Sequence, residues 1–240
     1  MSQPGKWAAT PPVTAMAIES GTPGACNQST VMYSLKETLI YSSRLRIGQC
    51  FLKNRQMQGE IQMQADVLAF WFNELEPARW WQKDQELDRE IAERFGSLHA
   101  RAAQCELYTW RETAAGRLAE IIVLDQFSRN IYRDTPAAFA CDPLALGLAQ
   151  EAVAAGADDK LTAVQQSFLY MPYMHSESLA IHEQAVRLYS RPGLEFNLDF
   201  ELRHQRIIER FGRYPHRNAI LGRESTAEEI EFLGQPGSSF

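Results

Sequence analysis

From residue 64 onward, apolar positions recur at three- and four-residue intervals, punctuated by capping residues, glycines and prolines. That pattern predicts one helix after another. Asp66 is placed to cap a helix carrying Val67, Leu68, Phe70 and Trp71. Asp84 is placed to cap the next, with Leu87, Ile91, Phe95 and Leu98 on one stripe. Thr113 opens a third, whose buried side carries Leu118, Ile121, Ile122 and Leu124. Thr135-Pro136 and Asp142-Pro143 each set a capping side chain before a first-turn proline. The second of these runs through Leu144, Leu148 and Val153 and stops at Gly156. Thr162 starts a long stretch that Pro172 is expected to kink or break, because proline has no N–H and crowds the preceding turn. The next helix carries Leu179, Val186 and Leu188 and ends before Pro192-Gly193. Another spans about Leu198 to Phe211 and closes at Gly212. Ser225 with Glu228, and Thr226 with Glu229, are alternative capping boxes for a last short helix. No stretch alternates apolar and polar residues as a strand would, and the connections are short. The expected fold is all-α, an antiparallel helical array over residues 64–240 without significant β-sheet.

Residues 1–60 break this pattern. The first 30 are rich in Pro, Gly, Ser and Thr and lack apolar periodicity; a short helix around Leu35 to Leu45 is the only element suggested. Charge changes at the same place: residues 1–60 carry six Lys/Arg against three Glu, and residues 61–240 carry eighteen against twenty-seven Asp/Glu. The segment is expected to be a disordered or non-native extension, with Met57 or Met63 as an alternative start; its Ser and Arg content also admits a transit-peptide reading.

Composition narrows the function classes. With 45% hydrophobic residues in 240, the chain can bury a substantial core. A net charge of −6 argues against a nucleic-acid partner, and no apolar run reaches membrane-spanning length. Cys26, Cys50, Cys105 and Cys141 are scattered, so neither a disulfide framework nor a zinc site is expected, and a cytoplasmic location fits. There is no H-E-x-x-H or Glu-x-x-His pair, no G-x-G-x-x-G, no P-loop and no Gly-x-Ser-x-Gly, so neither a metal nor a cofactor is expected.

Three polar stretches remain as candidate chemistry. Asp125 and Arg129 lie four apart on one helix face, flanked by Ile121, Ile122, Leu124 and Phe127, so the pair must be satisfied internally or face a pocket; Gln126 and Asn130 accompany it. In the second, His175 and Glu177 follow Pro172, where acid–base work is conceivable because His titrates near neutrality. His182, on an apolar helix, reads as a core histidine. In the third, Arg210 to Asn218, a turn carries Arg213, His216, Arg217 and Asn218 around Gly212 and Pro215; guanidinium forks suit carboxylate or phosphate. Trp71, Trp80, Trp81 and Trp110 read as core and inter-helix packing.

These residues also carry a resemblance. Phe70-Trp71-Phe72, the run Gly116 to Arg133, Thr135 to Ala140, Phe168 to Glu177 and Arg210 to Asn218 follow one another in the order found in the bacterial domain-of-unknown-function family 924, over about residues 65–240. The resemblance implies an all-helical, tetratricopeptide-like fold, although no repeat is visible in the sequence. It implies a characteristic polar set: Asp125, Gln126, Arg129, Asn130, His175, Glu177, His204, Arg213, His216, Arg217 and Asn218. Gln205 departs from the pattern, since the family tends to place Arg after this His. No established activity comes with the resemblance.

Two functional expectations follow. In the first, Arg129, Arg213 and Arg217 hold a small anionic or carboxylate-bearing ligand in one concave pocket, with Asp125, Gln126, Asn130, His204 and Asn218 supporting; His175 or His216, tuned by Glu177, is then the catalytic acid–base group if chemistry occurs. In the second, a curved helical array takes a peptide in its groove. A blander alternative makes the motifs a buried polar network that fixes helix register.

Overall fold

The computed structural model describes residues 57–238. The proposed extension therefore lies outside the described residues, apart from its last four. Those four are helical: α1 covers residues 57–69, so Asp66 lies inside a helix and accepts from Gln62 at 2.8 Å instead of capping one. Glu60 anchors this earlier start, accepting from the buried Trp110 indole N–H (2.6 Å) and pairing with Arg101 (2.8 Å).

The remaining helices are α2 (Gln85–Ala103), α3 (Ala114–Ile122), α4 (Ser128–Ile131), α5 (Asp142–Ala154), α6 (Ala163–Met174), α7 (Leu179–Tyr189), α8 (Glu195–Phe211) and α9 (Ala227–Leu233). No strand occurs among the described residues. Most starts fall where the capping signals put them. Asp84 accepts from the N–H groups of Glu86 and Leu87, Thr113 accepts from Gly116, and Thr162–Gln165 and Thr226–Glu229 form capping boxes. Gly212 ends α8 at φ 68°, the left-handed conformation that glycine adopts without steric penalty. Pro172 does not end its helix. It lies in the last turn of α6, which continues to Met174, so little helix follows the bond it removes.

α3 and α4 are joined by a wide π-helical turn, Val123–Phe127, into one run. A second π turn, Phe70–Glu74, follows α1, and the Phe70 and Phe127 rings meet 6.1 Å apart, edge to face. Every residue from Leu118 to Ser128 is buried. A helix buried on all sides is the centre of the core. Trp71 and Trp110 are buried as expected, but Trp81 is 57% exposed, stacked by one face on Phe168; its short helical turn sits at the edge of the apolar cluster.

Gly116 sets how closely the chain packs at the start of α3. A methyl group there would lie 2.1 Å from the carbonyl oxygen of Trp110 and 2.9 Å from Gln64. The backbone oxygen cannot move aside cheaply. Gly116→Ala is expected to destabilise the fold by about 1–3 kcal/mol, the range for overpacking, read as a drop in the urea midpoint at unchanged m-value.

Candidate functional site

The buried α3–α4 run carries Glu120, Asp125, Gln126 and Ser128 in its interior, and each must find partners there. Glu120 takes a two-pronged pair from Arg111 at 2.7 and 2.8 Å. Ser128 donates to the Leu124 carbonyl and meets His99 Nε2 at 2.7 Å. Asp125 sits in the π turn, fully buried, and collects three partners. Its Oδ1 meets His175 Nδ1 at 2.8 Å and Arg129 at 3.2 Å, and its Oδ2 accepts from Gln126 at 2.6 Å.

Arg129 turns from Asp125 to a second carboxylate, Asp142 at the head of α5, with one bond to each oxygen at 3.0 and 3.1 Å. Arg217, in the short turn Pro215–Arg217, reaches the same Asp142 at 3.3 Å and donates to the backbone carbonyl of His175 at 3.0 Å. Its guanidinium lies over the rings of Phe139 (4.6 Å) and Tyr214 (4.7 Å). Arg217 is 6% exposed, and its buried Nε has no hydrogen-bond partner among the described residues. The side chains of Arg129, Asp142 and His175 keep 20%, 16% and 17% exposure, so solvent reaches the cluster on that side. Asp142 had only the appearance of a helix-capping residue. Cys141 occupies the cap position instead, and no local signal distinguishes a carboxylate that caps from one that bridges two arginines.

The rest of the expected polar set goes elsewhere. Glu177 accepts two bonds from Arg223 (2.7 and 2.9 Å) and one from the Tyr214 N–H (2.8 Å), and its charge opposes the burial that pushes His216 down. Asn218 joins the same clamp, accepting from Arg223 and donating to Ser225. Arg213 holds α9 through a two-pronged pair with Glu229 at 2.7 and 2.8 Å. Asn130 donates to Asp88, itself bound by Arg133, beside a shallow surface depression that also includes Gln85, Arg89 and Ile131. His204 packs edge-on against Tyr214 and His216 lies tilted against the same ring, at 5.8 and 5.5 Å. The one concave pocket holding all three arginines is therefore replaced by a compact cluster of Asp125, Gln126, Arg129, Asp142, His175 and Arg217. Arg223, which sequence reasoning missed, lies just beyond the motif, and only the fold brings it to Glu177. His182 is a hydrogen-bonded core residue as expected: Nδ1 meets buried Glu201 at 2.7 Å and Nε2 the Ser176 carbonyl at 2.8 Å.

A model of a family of bacterial proteins of unknown function matches residues 67–237. The chain belongs to the DUF924 family. It is also similar to the solved structure of a protein of unknown function from Agrobacterium tumefaciens, 39% identical, with a TM-score of 0.70 over 72% of this chain and 98% of that one. No curated protein matches. The DUF924 match spans the whole cluster and the clamp beside it. Among the described residues no helix is long and apolar enough to cross a membrane, and no group of three or more His, Cys, Asp or Glu side chains could hold a metal ion.

Electrostatics assign protonation states in this DUF924 cluster. Burial pushes the Asp125 carboxyl up, but Arg129, His175 and Gln126 outweigh it and hold the group far below the ordinary carboxylate range. Burial and the neighbouring Arg129 charge push His175 down, with Asp125 opposing. His175 is therefore neutral near pH 7. Since ionised Asp125 can only accept, the imidazole proton sits on Nδ1 and the lone pair on Nε2.

Two predictions follow. Asp125→Ala removes the partner of three charged or polar groups at a buried position and is expected to cost roughly 3 kcal/mol, measured by chemical denaturation. The second concerns acid. Burial holds His204 down to about 3 and His216 to about 4, against an ordinary 6.5. Between those values the unfolded chain binds protons that the fold refuses, so the stability is complete above pH 6.5 and is lost as pH falls through the window. The unfolding free energy is expected to decline from pH 6.5 to pH 4. In His204→Gln the slope should be shallower by up to about 1.4 kcal/mol per pH unit, checked by urea titrations across that range.

Proposed function

We propose that the Asp125–Arg129–Asp142–His175–Arg217 cluster binds a small carboxylate-bearing molecule. One observation carries the reading: Arg217 is buried, stacked on two rings, and still has a donor without an acceptor. An unmet buried donor costs about 1–3 kcal/mol, which a ligand oxygen recovers on binding. The π turn under Asp125 supports it, since such turns are frequent at functional sites. His175, held by Asp125 through Nδ1, presents Nε2 as a base beside the ligand and is the acid–base group for any chemistry performed there. Gln126 steadies the same carboxylate. Glu177 and Asn218 serve the site from outside, by fixing the turn that carries Arg217.

One observation favours a purely structural network as the second reading. Two carboxylates face two guanidiniums, so the cluster is charge-balanced without a ligand. A peptide-binding scaffold has less support, because the aromatic rings at the cluster, Phe139 and Tyr214, are already engaged by Arg217.

The test is a thermal-shift panel of millimolar acetate, propionate, succinate and inorganic phosphate against the wild type and Arg217→Met. Carboxylates are expected to raise the wild-type melting temperature, since binding to the folded state alone stabilises it, and to leave a cooperatively melting Arg217→Met variant unmoved. No shift by any carboxylate, together with a large loss of stability in the variant, would establish the structural reading instead.

A further inference from the structure

We propose that the ligand is an α-amino acid, or a molecule that ends in one, with its carboxylate on Arg217 and its ammonium group shared by His175 Nε2 and Asp142. The inference rests on the preceding reading of the cluster as a ligand site and narrows it.

Three features of the cluster set the terms. The first is a donor that needs an acceptor, Arg217 Nε, which has no partner although the rest of the guanidinium is bonded to Asp142 and the His175 carbonyl. A carboxylate is the natural complement to a guanidinium edge. The second is an acceptor that needs a donor. His175 Nδ1 is committed to Asp125, and Nε2 has no hydrogen-bond partner among the described residues, on a side chain that solvent still reaches. Asp142 adds to it: a carboxylate offers about four lone-pair sites, and the Arg129 and Arg217 bonds occupy three of them. A ligand group here must donate, and a charge-carrying donor gains most from the remaining carboxylate site.

Third is the charge balance. Asp125 and Asp142 cancel Arg129 and Arg217, with His175 neutral, so a partly buried cluster gains nothing from a ligand of large net charge. A lone carboxylate satisfies Arg217 and leaves Nε2 unmet; a lone cation does the reverse. A zwitterion satisfies both and adds no net charge. Arg217 Nη2 donates to the backbone carbonyl of His175 at 3.0 Å, so the two residues that carry these groups adjoin one another. An α-amino acid is the smallest zwitterion that offers both a carboxylate and an ammonium group.

Alanine, lactate and propionate share one carbon skeleton and differ only in the donor beside the carboxylate, so their calorimetric affinities for the full chain at pH 7.5 test the assignment. Alanine is expected to bind roughly five- to tenfold tighter than propionate, with lactate between them. His175→Asn keeps an amide N–H for Asp125 and deletes Nε2; it should abolish the alanine preference while propionate binding persists. Equal affinity for alanine and propionate would overturn the amino-acid assignment and leave the carboxylate reading standing. A preference that survives in His175→Asn overturns it as well. Binding of none of the three would remove both. If His175→Asn does not fold, the wild-type order of the three acids decides alone.

Discussion

A fully buried carboxylate in a wide turn of the central helix governs the polar architecture of this protein. Asp125 has no access to water, and an isolated ionised carboxylate in that setting is prohibitively costly. The fold answers by bringing it a guanidinium, an imidazole and a carboxamide from three positions, of which only Arg129 and Gln126 are local. His175 arrives from the end of α6, and its position is one consequence of neutralising Asp125. Arg129, having more N–H groups than Asp125 can use, extends the network to Asp142, and Asp142 extends it to Arg217. The network thus ties the α3–α4 run to α5, to the end of α6 and to the Pro215–Arg217 turn.

Around that centre the fold separates two duties that look alike in sequence. The turn bearing Arg217 is fixed from both sides: Glu177 and Arg223 grip it at Tyr214, and Arg223 and Ser225 hold Asn218. Burial opposes ionisation of Glu177, but the bonds from Arg223 and the Tyr214 N–H prevail and keep its carboxyl below the ordinary value. Those residues position; they do not face the cluster. Arg213 has a third role, fastening α9 through Glu229. A stretch of nine residues with four basic side chains therefore contributes one, Arg217, to the cluster itself.

The histidines follow the same logic of burial. His175 and His182 each have a carboxylate within 2.8 Å, and burial drives His175, His204 and His216 below their ordinary value. At His175 the distinguishing contact is the Asp125 carboxylate. It leaves His175 with a defined tautomer and an open ring nitrogen, the property on which the ligand assignment depends.

The sequence by itself determined the helices and their polarity. Starts at Asp84, Thr113, Thr162 and Thr226, the stop at Gly212 and the buried stripe of α2 were all legible, because capping and three-to-four periodicity act within a few residues of chain. It also determined that Asp125 and Arg129 pair, since four residues apart on a helix means adjacent. What only the tertiary structure decided was which polar residues share a site. Asp142 reads locally as a helix start and becomes the bridge between two arginines; Glu177 reads as the partner of His175 and turns instead to Arg223; Asn130 turns away to Asp88. Each of these choices is a contact between segments 40 or more residues apart, or 13 in the case of Arg129 and Asp142. Such contacts depend on where the buried helix sits and which charges it must satisfy there, and neither is encoded in local spacing.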